Sequence, residues 1–131
     1  MQILNGDLLR WMMASMDGLL DEPVTLQMSA RVWAGIDAGV DNVVSLAAQD
    51  GDEQVMCIGQ TIRQAGWDQV PWVNGDWPPM NQIISIRLTR AQWRFAADEA
   101  QKGIAVYQEL HDDQSAQLCR DALAVIEAAA V

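Results

Sequence analysis

The chain has 131 residues, half of them hydrophobic, and eighteen acidic side chains face eight basic ones for a net charge of −10. That length and apolar content suit one domain (1–131) built round one core, and no run of eighteen apolar residues is present to span a membrane. Residues 1–81 hold eleven acids and three bases (−8) and residues 82–131 seven acids and five bases (−2). With no cationic field to release counterions, direct binding to a nucleic-acid backbone is disfavoured.

The opening Met1-Gln2-Ile3-Leu4-Asn5-Gly6-Asp7 lacks a basic n-region and an apolar h-region. The expected location is therefore the cytoplasm, of the protein's own cell or of a host cell. Cys57 and Cys119 form no CxxC pattern and no disulfide framework, so both are read as buried, reduced thiols.

Asn5-Gly6-Asp7 offers a turn and a cap. Leu8, Leu9, Met12, Met13, Met16, Leu19 and Leu20 then recur at helical spacing, predicting an amphipathic helix over 7–20 that Asp21-Glu22-Pro23 ends. Its methionines make an adaptable apolar stripe, suited to core or to a binding groove. Val24-Thr25-Leu26-Gln27-Met28 alternates as a strand. Ser29 caps a helix reaching about Gln49, with Val32, Trp33, Ile36, Val40, Val43, Val44 and Ala47 on one face. Asp50-Gly51-Asp52 turns the chain into a helix over 53–65, with Val55, Ile58, Ile62 and Ala65 inward and Gly66 as its left-handed terminator. Residues 67–81 contain three prolines and an Asn-Gly, which predicts an irregular loop carrying Trp67, Trp72 and Trp77.

The grammar then repeats. Ile84-Ser85-Ile86-Arg87-Leu88 alternates, Thr89 stands where Ser29 stood, and Trp93 follows its cap by four residues, as Trp33 does. A long helix runs to about Leu110, His111-Asp112-Asp113 turns, and a last helix over 114–129 carries Leu118, Ala122, Val125 and Ile126 inward. The expected fold is mainly α (α+β). An N-terminal helix precedes two strand–helix–helix pseudo-repeats about 60 residues apart, and their two short strands pair antiparallel. The domain divides into helix plus first repeat (7–66), Trp/Pro-rich loop (67–81) and second repeat (82–131). Each tryptophan after a cap is expected to be buried on the strand just left.

No residue set spells out catalysis. His111, the only histidine, has carboxylates beside it but no recognisable Ser or Cys nucleophile. Asp50-Gly51-Asp52-Glu53 fails the calcium-loop pattern, because Val55 and Thr61 stand where Gly and Glu are required; a capped turn is its meaning. Phosphate-binding, zinc-protease and serine-hydrolase signatures are absent, so no metal and no cofactor is expected. Gly35 and Gly39, spaced by four, suit close packing of another helix, and Gly59 and Gly103 suit the same. Arg87, Arg90 and Arg94 form the one basic cluster, suited to an anion or to acids of the first repeat.

Two surfaces stand out. The first is the loop, where Trp67, Trp72 and Trp77 alternate with Asp68 and Asp76; tryptophan is enriched at interface hot spots, though the indoles could also cover a hydrophobic edge. The second is the pair Phe95 and Val106, off the main apolar face of their helix, which would be core or a homodimer contact. The expected function is an acidic, non-enzymatic protein-binding module. It would be an inhibitor or adaptor docking on a basic, possibly nucleic-acid-binding, protein partner, as a phage-type counter-defence mimic of nucleic acid would. The alternatives are a small-molecule binder or enzyme with a pocket beneath 67–81, and a structural homo-oligomer.

Overall fold

The computed structural model describes residues 21–129. The helix predicted over 7–20 lies outside the described residues. The elements run β1 (Pro23–Ser29), α1 (Ala30–Asp50), α2 (Glu53–Gln69), β2 (Ile83–Thr89), α3 (Arg90–Glu109) and α4 (Asp113–Ala128). The protein is therefore mainly helical, with two strand–helix–helix units and one antiparallel two-stranded ribbon.

The alternation read in the strands fixes which side of the ribbon is covered. Leu26 and Met28 of β1 and Ile84, Ile86 and Leu88 of β2 are buried, while their neighbours Thr25, Gln27, Ser85 and Arg87 are exposed. A ribbon of two strands is marginal by itself, so the helices hold most of the core. One cluster joins both strands to Trp33, Ile36, Val40, Ile62, Trp93, Ala96, Ala122 and Ile126.

The elements and caps of the two units correspond at a single offset of 60 residues. Ser29 accepts from the Val32 amide at 3.2 Å and caps α1, and Thr89 forms a reciprocal capping box with Gln92 at the start of α3. Asp52 caps α2 and Asp112 caps α4. Gly51 and His111 both have positive φ, at 73° and 56°. Glycine takes that conformation freely, and histidine is among the side chains that enter it most readily. The first amide of each long helix finds an equivalent partner, since Ala30 N–H donates to the Gln82 carbonyl and Arg90 N–H to the Glu22 carbonyl. The ribbon pairs Leu26 with Ile86, which are themselves 60 apart. That pair is its own image, so a local two-fold axis passes between the two residues.

Trp33 and Trp93 are both fully buried and meet edge to face, ring centroids 6.3 Å apart at 83°. Both are buried, as expected, and each has a contact beyond the strand that precedes it. The Trp93 indole N–H donates to the Val24 carbonyl of β1, at 2.9 Å. Antiparallel pairing sets Val24 opposite Leu88, beside the start of α3, so the opposite strand is within reach. The Trp33 ring lies instead against Gly66, where an added Cβ would sit 2.0 Å from it.

That contact also corrects the predicted end of α2. Gly66 is inside the helix, which continues through Trp67, Asp68 and Gln69 and is capped by Val70. Gly66 is there to admit an indole. The true stop is Pro71, which disfavours helical geometry at the residue before it; Val70 has φ −62°, ψ 130°. Gln69, in the extra turn, closes the outer edge of β2. Its side-chain amide donates to the Arg87 carbonyl and accepts from the Arg87 amide, as a peptide of a third strand would. Of the paired glycines, Gly35 packs against Leu118 of α4, whereas nothing lies within 4 Å of a Cβ at Gly39.

Trp33→Ala or Trp93→Ala should cost about 3–5 kcal/mol of unfolding free energy, as truncation of a buried large aromatic does. Gly66→Ala should cost about 1–3 kcal/mol by overpacking against Trp33. Urea denaturation followed by far-UV circular dichroism measures all three. A Gly66→Ala variant as stable as the parent would contradict the packing described.

Candidate functional site

The best candidate surface is built where α2 ends. Trp67 and Asp68 stand on the last helical turn, and Val70-Pro71 redirects the chain outward. Asn74 and Gly75 then take positive φ, 52° and 84°, while Val73 and Asp76 exchange backbone hydrogen bonds of 2.8 and 3.0 Å. Positive φ at both central positions marks the type I′ turn that the strand twist of a two-residue hairpin favours. Trp72 and Trp77 flank the bridged pair and meet across it, centroids 4.6 Å apart. Trp67 meets Trp72 in a tilted contact, centroids 4.7 Å apart at 45°, and the Trp72 indole N–H donates to the Trp67 carbonyl at 2.9 Å.

The three indoles thus form a row with a gradient of burial. Trp72 and Trp77 are half-buried and pack against the core, while Trp67 is 64 % exposed. Both readings made of the loop describe part of this row: the inner indoles cover the core edge and the outer one faces solvent. Val73, in the same hairpin, is 52 % exposed. It was not singled out in the sequence, although Asn74-Gly75 between Trp-Val and Asp-Trp is a hairpin signal that would have placed it.

The acids around the row differ in availability. Asp68 and Asp76 are exposed, and Asp68 accepts from the Gln64 amide at 2.9 Å. Asp37 and Asp41 of α1 both pair with Arg63 of α2, at 3.1 and 2.8 Å. The hydrogen bond that Arg63 donates to Asp37 and the two carboxylate charges hold its guanidinium still more firmly protonated. Asp37, Arg63, Gln64 and Trp67 line a shallow depression next to the row. Asp37 and Asp41 thus share one cation, whereas among the described residues no salt bridge joins Asp68 or Asp76 to a cation.

The second predicted surface divides. Phe95 packs against the core, half-buried, at the position equivalent to Gly35. Val106 is 52 % exposed and lines a groove of about 400 Å³ between α1, α3 and α4. Its lining includes no residue of 67–81. Of the arginines, Arg90 pairs with Glu22 of the first repeat at 3.5 Å. Asp52 and Asp112 serve as helix caps. The Ser115 hydroxyl and amide both donate to Asp112 and hold its carboxyl below the usual range. Among the described residues no group of His, Cys, Asp and Glu side chains is arranged to hold a metal, and no helix is long and apolar enough to cross a membrane. Comparison of the chain with protein-family models, curated proteins and solved structures gives no match.

Both cysteines are free, but only one resembles the predicted buried thiol. Cys57 is exposed on the outer side of α2, because Ile58 and Ile62 turn inward; Cys119 is half-buried against Gly103. Burial raises the Cys119 thiol above its ordinary pKa despite nearby Arg120. A thiol reagent should therefore label one cysteine quickly in the native protein, a phase that Cys57→Ser removes. Cys119 should react slowly, with its pH profile displaced upward because the reactive thiolate forms later. Equal native rates for the two thiols would contradict this placement.

Proposed function

We propose that the protein is a non-enzymatic protein-binding module whose contact surface is the row Trp67–Trp72–Trp77 with Asp68 and Asp76, and that its partner presents a basic surface. The observation that carries this reading is the exposure of Trp67 at the end of a row whose inner members are fixed. A large indole left facing water costs hydrophobic free energy that docking recovers. Trp67 is already oriented by its contact with Trp72 and by the rigid I′ hairpin, so little side-chain entropy remains to be lost on binding. Asp68 and Asp76 flank the patch with negative charge, within a chain of net charge −10. Exposed carboxylates of this kind steer a basic partner and are screened by salt within about 8 Å at physiological ionic strength. An inhibitor or adaptor acting on a nucleic-acid-binding protein is the specific form this chemistry favours, because such a partner offers a cationic surface.

The partner is to be captured from lysate at low and high salt, identified, purified and its binding kinetics measured. Trp67→Ala should raise the off-rate by an amount equivalent to about 2 kcal/mol or more, the range of interface hot spots, while leaving the fold intact. Asp68→Asn with Asp76→Asn should mainly lower the on-rate and flatten its salt dependence. Trp72→Ala should weaken binding and also lower stability, since Trp72 holds the row against the core. A Trp67→Ala variant that is folded and binds as the parent does would rule the surface out.

A further inference from the structure

The tryptophan row carries donors and charges that the protein does not use internally. Among the described residues the indole N–H groups of Trp67 and Trp77 find no acceptor, whereas Trp72 gives its own to the Trp67 carbonyl at 2.9 Å. Asp68 is the chain neighbour of Trp67 and Asp76 of Trp77, so each end of the row has a carboxylate beside it. Among the described residues neither carboxylate enters a salt bridge. We propose that the row receives a proline-rich segment of its partner in the polyproline II conformation, with arginine or lysine flanking the prolines. This rests on the row being the contact surface and adds the shape of what it receives.

The backbone around the row disfavours an added β-strand. The amides of Val70, Trp72, Val73 and Asp76 are already bonded to carbonyls of the protein, and Pro71, Pro78 and Pro79 have none. An incoming strand therefore finds almost no ladder to extend. An incoming helix spends its carbonyls internally, so its backbone brings no acceptor to the two indole donors. A polyproline II segment has no internal hydrogen bonds, and all its carbonyls remain to accept. The dimensions agree. Successive indole centroids are 4.7 and 4.6 Å apart, so the outer two are separated by at most two such steps. One turn of polyproline II, three residues, advances about 9 Å and spans that distance. Proline-rich segments dock on aromatic surfaces because they are extended before they bind and lose little chain entropy. The receiving surface is fixed as well, since Trp72 and Trp77 pack against the core. A carboxylate at each end of the row attracts cationic flanks whichever way the segment runs.

The probe is a synthetic peptide of six prolines between two arginines, acetylated and amidated, titrated into the isotope-labelled full chain and followed by NMR. The indole N–H resonances of Trp67 and Trp77 should shift saturably, while those of Trp33 and Trp93 in the core stay in place. Replacing the prolines by alanine, or the arginines by glutamate, should weaken binding at least tenfold, and so should Trp67→Ala in the protein. The same peptide should displace the partner captured from lysate. Absence of saturable shifts at the row would overturn the proposal, as would an alanine peptide that binds as well as the proline one. If the partner depends on Trp67 but the peptide neither binds nor competes, the polyproline proposal falls and the row remains a contact surface for a partner of another shape. If a folded Trp67→Ala binds the partner as the parent does, the contact surface itself is wrong and the proposal falls with it.

Discussion

The edge-to-face contact of Trp33 with Trp93 is the constraint on which the rest of this fold depends. Three otherwise separate packings meet there. The Trp33 ring fixes how α1 lies on α2, through Gly66. The Trp93 indole N–H ties α3 to the opposite strand at Val24. The contact between the rings joins the two repeats. A T-shaped pair has one ring presenting its edge and the other its face, so it cannot itself be symmetric. The local two-fold axis that maps Ser29 on Thr89 and Asp52 on Asp112 therefore fails at its own centre, and the surroundings of the two indoles differ accordingly. Gly66 faces Trp33, while the equivalent position, 126, is a buried isoleucine.

That broken symmetry accounts for what could be read from the sequence and what could not. Alternation of period two, apolar spacing of period 3.6 and side-chain caps are local signals, and they located both strands, four helices and the offset of 60. Antiparallel pairing followed from placing two such units face to face. Gly66 misled because a glycine near the end of an apolar helix ordinarily terminates it, whereas here the demand comes from Trp33, thirty-three positions away in the chain. Cys57 was assigned by residue type; its place on the α2 wheel, between Met56 and inward-facing Ile58, carries the opposite information. The even spacing of Trp67, Trp72 and Trp77 marked the candidate surface, but which indole faces solvent depends on where α2 stops, and that boundary was set by Pro71.

The two outward-looking features differ in chemistry. The tryptophan row is aromatic, flanked by uncompensated carboxylates and stiffened by a hairpin and an indole-to-carbonyl hydrogen bond. The groove is largely apolar and lined by several small residues of α1, α3 and α4. Preorganised aromatics with nearby charge suit an encounter with another molecule. Arg63, shared by Asp37 and Asp41 between α1 and α2, offsets part of the negative charge on the helix side of the patch.

The glycines on the facing helices carry one more consequence. In the first repeat the small residue is on the second helix, where Gly59 admits Val44 of α1. In the second repeat it is on the first helix, where Gly103 admits Cys119 of α4. Positions 59 and 119 are equivalent, so bulk and gap have changed sides. If α4 took the place of α2 against α1, Cys119 would be driven into Val44; in the reverse exchange Gly59 would leave a void opposite Gly103. Two hairpins of nearly the same length and pattern are thereby made non-interchangeable. Each outer helix is keyed by shape to its own partner, and the mispairing to which a duplicated architecture is otherwise prone during folding is disfavoured at a single layer of the bundle.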